Sequence, residues 1–128
     1  MAQSITNPLT IAYIGDAVYA LYIRRRLAEL SAAPVGVLHK TSSNLVCAEA
    51  QYRAAQAIMP LLTEEELHIF KWGRNAKSAT VPKHAAVLHY RHATGLEALV
   101  GFLYMEERKE RLSFIMGKIF DFLYPQAS

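Results

Sequence analysis

Cysteine is almost absent: Cys47 stands alone in 128 residues. One thiol excludes an intrachain disulfide and a thiolate-rich zinc site. Glycine is sparse too, with six in the chain. No cluster of them follows a strand-like run, which excludes a glycine-rich phosphate loop. No serine sits in the Gly-x-Ser-x-Gly turn of a serine hydrolase. No stretch alternates apolar and polar residues as a half-buried strand does. No run is long and uncharged enough to span a bilayer. No charged region precedes the first apolar run, as it would in a secretory signal. The expectation is one all-α domain over residues 1–128, cytoplasmic and without membrane contact.

Acid is missing from one long window. Residues 67–96 hold Lys71, Arg74, Lys77, Lys83 and Arg91 but no Asp or Glu, within a chain of net charge +3. His68, His84, His89 and His92 fall in the same window. Such a patch is what a phosphate-binding surface requires. The plainer alternative is a solvated basic face. The histidines, His39 included, do not make a zinc spacing. For His89 and His92, solvent exposure or phosphate contact fits better than ligation.

What is present is helical periodicity. A first helix runs from Leu9 to about Leu30, with Leu9, Tyr13, Asp16, Ala20 and Ile23 on one face. A short turn over residues 35–40 follows Pro34. Thr41-Ser42-Ser43 offers N-caps for a helix to about Ile58, which Pro60 ends. Thr63 and Glu66 form a capping box opening a helix to about Trp72. Residues 73–82 read as an extended loop. The next helix begins near Lys83 or Ala85 and reaches about Glu106, with Gly95 and Gly101 allowing a neighbour to approach closely. A last helix covers Lys109 to Leu123.

Two carboxylates stand out against this apolar background. Asp16 interrupts the run from Leu9 to Ile23, and Glu97 the run from Leu96 to Tyr104. An ionised carboxylate among apolar side chains is costly without compensation. Each could simply cap a helix or pair with an arginine. Together they could instead supply hard oxygen ligands to Mg²⁺, with waters and phosphate oxygens completing its shell.

The sequence Tyr-Ile-Gly-Asp-Ala-Val at 13–18 resembles the core of the ribonuclease III signature. Leu-Glu-Ala-Leu-Val-Gly-Phe-Leu-Tyr at 96–104 looks like that family's second acidic helix. Leu-His-Lys-Thr-Ser-Ser at 38–43 and Lys-Trp-Gly-Arg-Asn-Ala-Lys-Ser at 71–78 resemble the short Mini-ribonuclease III branch, which lacks a double-stranded-RNA-binding domain. The likeness spans about residues 8–123.

The resemblance implies an all-α ribonuclease III endonuclease-domain helical bundle, acting as a homodimer on double-stranded RNA. It implies a Mg²⁺-dependent endoribonuclease leaving 5′-phosphate and 3′-hydroxyl ends. It points to maturation of 23S (large-subunit) ribosomal RNA and leaves room for a large-subunit ribosomal protein as a partner. Asp16 and Glu97 match the family's metal-binding acids. Arg74, Asn75, Lys77 and Lys83 would contact phosphates, with Lys40 and Ser43 as further candidates. Tyr19, Tyr22 and Ile23 would face the second protomer. Larger relatives carry further acids where this chain has Ala12 and Thr94, so the site is expected to be reduced. The alternative is a non-catalytic helical RNA-binding or scaffold protein that uses both acids structurally. Metal-dependent cutting of an RNA duplex separates the two.

Overall fold

A computed structural model describes residues 6–77 and 86–125. Six α-helices follow in order: α1 (Pro8–Leu30), α2 (Val35–Val46), α3 (Ala48–Ile58), α4 (Glu64–Arg74), α5 (Val87–Met105) and α6 (Lys109–Leu123). A single 3₁₀ turn, Met59–Leu61, follows α3. Among the described residues there is no strand, and no helix is long and apolar enough to cross a membrane. The all-α expectation holds.

Local chemistry sets several helix ends. The Asn7 side chain accepts a hydrogen bond from the Leu9 amide at 2.9 Å, and Pro8 occupies the first turn of α1. Proline is tolerated there because its missing N–H would have no helical partner. The capping box of α4 is complete. The Glu66 amide donates to Thr63 Oγ1 at 3.1 Å, and the Thr63 amide donates to Glu66 Oε1 at 3.0 Å. Glu66 is also buried and takes two hydrogen bonds of 2.7 Å from the Arg111 guanidinium. That bond holds its carboxyl below the usual carboxylate range. The start of α4 is thereby clamped to α6.

The break expected near residue 40 lies instead at Cys47. Cys47 is extended, with φ −70° and ψ 162°, and separates α2 from α3. Thr41, Ser42 and Ser43 lie inside α2 rather than capping a helix. The Ser42 and Ser43 hydroxyls bond back to the His39 carbonyl at 2.9 and 3.0 Å. Such back-bonding removes their capping role without breaking the helix. Ala86 is extended, so α5 begins at Val87.

The core is organised around α5. Its Leu96, Ala98, Leu99, Val100 and Leu103 are fully buried, so the helix is apolar nearly all round and belongs at the centre. It packs against α1, α3, α4 and α6. Tyr19, Ile23, Ile58, Phe70, Ile115, Ile119 and Phe120 close around it. At the α1–α5 crossing the two backbones meet directly. A Cβ on Gly15 would overlap the Glu97 carbonyl, and one on Gly101 would overlap the Ile11 carbonyl. The close approach expected at Gly101 is therefore to α1.

Candidate active site

The glycine contact between α1 and α5 fixes the position of both acids. Asp16 follows Gly15, and Glu97 lies one turn before Gly101. The crossing therefore brings the two carboxyl groups within hydrogen-bonding reach of each other. Asp16 is exposed and Glu97 half-buried. Burial is the main reason the Glu97 carboxyl is pushed up to about 8. The negative charge of Asp16 and the hydrogen bond with it add to the shift, while a hydrogen bond from Gln51 opposes it. Two carboxylates this close share a proton unless a cation lies between them.

The pair opens into a cavity of about 340 Å³ lined by Leu9, Ala12, Tyr13, Asp16, Tyr90, Thr94 and Glu97. Ala12 and Thr94, the positions where further acids were missing, thus line the same cavity. Thr94 Oγ1 donates to the Tyr90 carbonyl at 3.0 Å, so its hydroxyl is used locally. Among the described residues no three His, Cys, Asp or Glu side chains gather to hold a metal ion. The donor set is two hard carboxylates at an open cavity. That suits a hydrated divalent cation that keeps several waters, and does not suit an all-protein cage.

A second cavity of about 270 Å³ adjoins the first. It is lined by Leu9, Gly73, Arg74, Ala76, Lys77, Tyr90, Arg91 and Thr94, sharing Leu9, Tyr90 and Thr94 with the acidic one. Arg74 and Lys77 therefore border the acids, and Arg91 joins them. Sequence reasoning counted Arg91 in the basic window but not in the site. Its signal was its place just after Tyr90, one turn before Thr94. Asn75 caps α4, accepts a hydrogen bond from Arg74 Nε at 3.2 Å, and lines a neighbouring cavity with His68 and Lys71. Lys40 and Ser43 sit on α2 and line neither cavity. Lys83 lies outside the described residues.

The residues expected to face a second protomer are corrected. Tyr19 and Ile23 are fully buried in the core, and Tyr22 is half-buried, its hydroxyl 3.4 Å from Ser113 Oγ. The exposed large apolar side chains of α1 are instead Tyr13, Leu21 and, at its end, Leu30, 80%, 63% and 47% exposed. His89 and His92 are half-buried. Both rings contact Tyr52, at 4.6 and 5.0 Å between centroids, and His92 also meets Phe70 at 5.8 Å.

Gln51 was also missed. It is 2% exposed, and its Nε2 donates to Glu97 Oε2 at 3.2 Å and to the Val46 carbonyl at 3.0 Å. Nothing local marks it, because its partners come from α5 and the end of α2. Nearby, the buried Tyr19 hydroxyl donates to the Leu45 carbonyl at 3.1 Å. Burial, helped by the Glu97 charge, raises its pKa and keeps it neutral.

An all-helical domain with paired acids beside a basic cavity is an arrangement suited to metal-assisted work on phosphates, and comparison with known proteins identifies the family. The sequence profile of the Ribonuclease III domain matches residues 9–108. A Mini-ribonuclease 3 of Thermoanaerobacter sp. is 48% identical over 86% of this chain and 78% of its own length. That of Brevibacillus brevis is 42% identical over 91% of this chain and 87% of its own. A crystal structure of a Fusobacterium nucleatum protein superposes with a TM-score of 0.79 at 30% identity, covering 88% of this chain and 89% of that one. The chain belongs to the ribonuclease III family, among the Mini-ribonuclease III proteins, and is an endoribonuclease of that type. The family generally uses a divalent metal ion and acts on double-stranded RNA.

Proposed function

We propose that this protein is a Mg²⁺-dependent endoribonuclease that cuts double-stranded RNA, leaving 5′-phosphate and 3′-hydroxyl ends. The observation that carries the reading is the adjacency of the Asp16–Glu97 pair to the cavity of Arg74, Lys77 and Arg91. Asp16 and Glu97 would hold the ion through their carboxylate oxygens. An ion held by these two carboxylates would supply an activated water and charge compensation at the scissile phosphate and the leaving 3′-oxygen. Arg74, Lys77 and Arg91 would hold flanking phosphates and set the strand across the acids. The half-buried setting of Glu97 restricts its rotamers and keeps its charge from being screened. Asn75 and Lys83 would extend the phosphate contacts beyond the cavity, and Lys40 and Ser43 would reach RNA only at its far edge.

Duplex RNA presents phosphates, 2′-hydroxyls and shape more than base identity. The two cavities offer charge and little base-reading apparatus, which supports modest sequence preference. Two sites in a homodimer, each cutting one strand, would suit such a substrate. The substrate class we favour is large-subunit (23S) ribosomal RNA precursor, presented by a large-subunit ribosomal protein in the cytoplasm.

Asp16→Asn removes a charged ligand while keeping size. Cleavage of a simple RNA duplex in Mg²⁺ should fall by more than about a hundredfold, with RNA binding in Ca²⁺ unchanged within twofold. Cutting at near wild-type rate would remove Asp16 from the metal site. Tight binding of duplex by the wild type without metal-dependent cutting would favour the scaffold reading instead.

A further inference from the structure

We infer that Gln51 is a positioning residue for Glu97: its side-chain amide holds the Glu97 carboxylate in its pose beside Asp16 and ties it to the α2–α3 corner. This rests on the reading of Asp16 and Glu97 as metal ligands. The corner at Cys47 interrupts the helix and leaves carbonyls at the end of α2 without helical partners. Gln51 Nε2 carries two hydrogens, and both are used, one on the Val46 carbonyl and one on Glu97 Oε2. That fixes the orientation of the amide. The reverse orientation would set Oε1 against two acceptor oxygens.

The other end of the same amide argues for a role beyond packing. Gln51 Oε1 is buried and has no hydrogen-bond partner among the described residues. An unpartnered buried carbonyl is a cost to stability that an apolar residue of similar size would not carry. The corner also has a separate tether, since the Tyr19 hydroxyl donates to the Leu45 carbonyl at 3.1 Å. What Gln51 supplies, alone among the described residues of the corner, is a donor aimed at Glu97. Partners of this kind behind a metal ligand fix its orientation.

Gln51→Leu and Gln51→Met keep the volume and remove the donor. Mn²⁺ binding to the RNA-free protein, read by electron paramagnetic resonance, should weaken about tenfold or more. Cleavage should show a similar loss in kcat, with KM for a short RNA duplex and duplex binding in Ca²⁺ unchanged. The unfolding temperature should change little, because the orphaned carbonyl is removed together with the bond to the Val46 carbonyl. A variant that folds and binds Mn²⁺ like the wild type overturns the proposal. So does failure of both variants to fold, which would make the amide a structural tie alone. Asp16→Asn, measured alongside, separates the two readings. If it too binds Mn²⁺ like the wild type, the metal site itself is misassigned. If it loses Mn²⁺ while the Gln51 variants keep it, only the role of Gln51 fails.

Discussion

Glu97 and Glu66 are both acids held away from bulk water, and their neighbours push them in opposite directions. Glu66 faces the Arg111 guanidinium and is held low. Glu97 is pushed up to about 8, chiefly by its burial and further by the charge of Asp16 beside it. Glu66 has a paired guanidinium to offset its burial, and Glu97 has none among the described residues beside it. Without metal, the folded protein binds a proton at Glu97 that the unfolded chain releases above about 4.5. Stability then falls as pH rises between about 4.5 and 8, because the native state holds more protons across that window. In EDTA, the unfolding temperature should therefore drop from pH 5 to pH 8. Glu97→Gln should flatten much of that slope and unfold at a higher temperature than the wild type at pH 8. Millimolar Mg²⁺ should restore the wild type at pH 8 by binding the charged pair. Equal slopes for wild type and variant in EDTA would mean that Glu97 is not the titrating group.

Between helices, the decisive contact is the one made by glycines. Gly101 sits so close to the Ile11 carbonyl that a methyl group has no room, and the obstacle is backbone rather than a movable side chain. Gly101→Ala should force α1 away from α5, costing about 3 kcal/mol or more and separating Asp16 from Glu97. Thermal unfolding and Mg²⁺-dependent cleavage should both register the loss. Gly117, on α6, has open space around its Cβ position. Gly117→Ala should instead add about 0.5–1 kcal/mol by improving helix propensity and restricting the unfolded chain. If both substitutions behave alike in a melting experiment, the close crossing is not what holds the site. This contrast also shows what could be read from residues alone. The capping box of Thr63 and Glu66 was legible because its chemistry spans three residues. Asp16 and Glu97 were legible as isolated charges in apolar helices. That Gly101 packs on Ile11 rather than on another helix depends on the crossing geometry, which no local pattern encodes. The corner at Cys47 was hidden for the same reason. It carries neither proline nor glycine, and its tethers, Tyr19 and Gln51, reach it from other positions in the fold. Arg91 was visible as charge but not as part of the site, because only the packing of α4 against α5 sets it beside Arg74 and Lys77.

Across the whole molecule, α1 has two unlike sides. One packs on α5 and supplies Gly15 to the crossing. The other carries Tyr13 and Leu21 into solvent, with the exposed Ala17 between them and Asp16 at the stripe's edge. Tyr13 also lines the acidic cavity, so the stripe and the candidate active site are continuous. A twofold axis over such a stripe would cover apolar surface on both protomers and set two acidic sites on one side of the assembly. That arrangement meets the geometric need of cutting both strands of one duplex. Leu21→Glu places a charge in the stripe, 63% exposed and remote from the core, so the folded monomer should tolerate it. Equilibrium sedimentation should then show the wild type at twice the chain mass and the variant at the chain mass, with helical circular dichroism unchanged. Cleavage of duplex RNA should fall with the dimer, because one protomer presents one acid pair to one strand. A wild type that sediments as a monomer sinks the homodimer. A Leu21→Glu protein that remains dimeric moves the interface elsewhere, with Val35 and Val37 of α2, 82% and 53% exposed, as the next surface to charge.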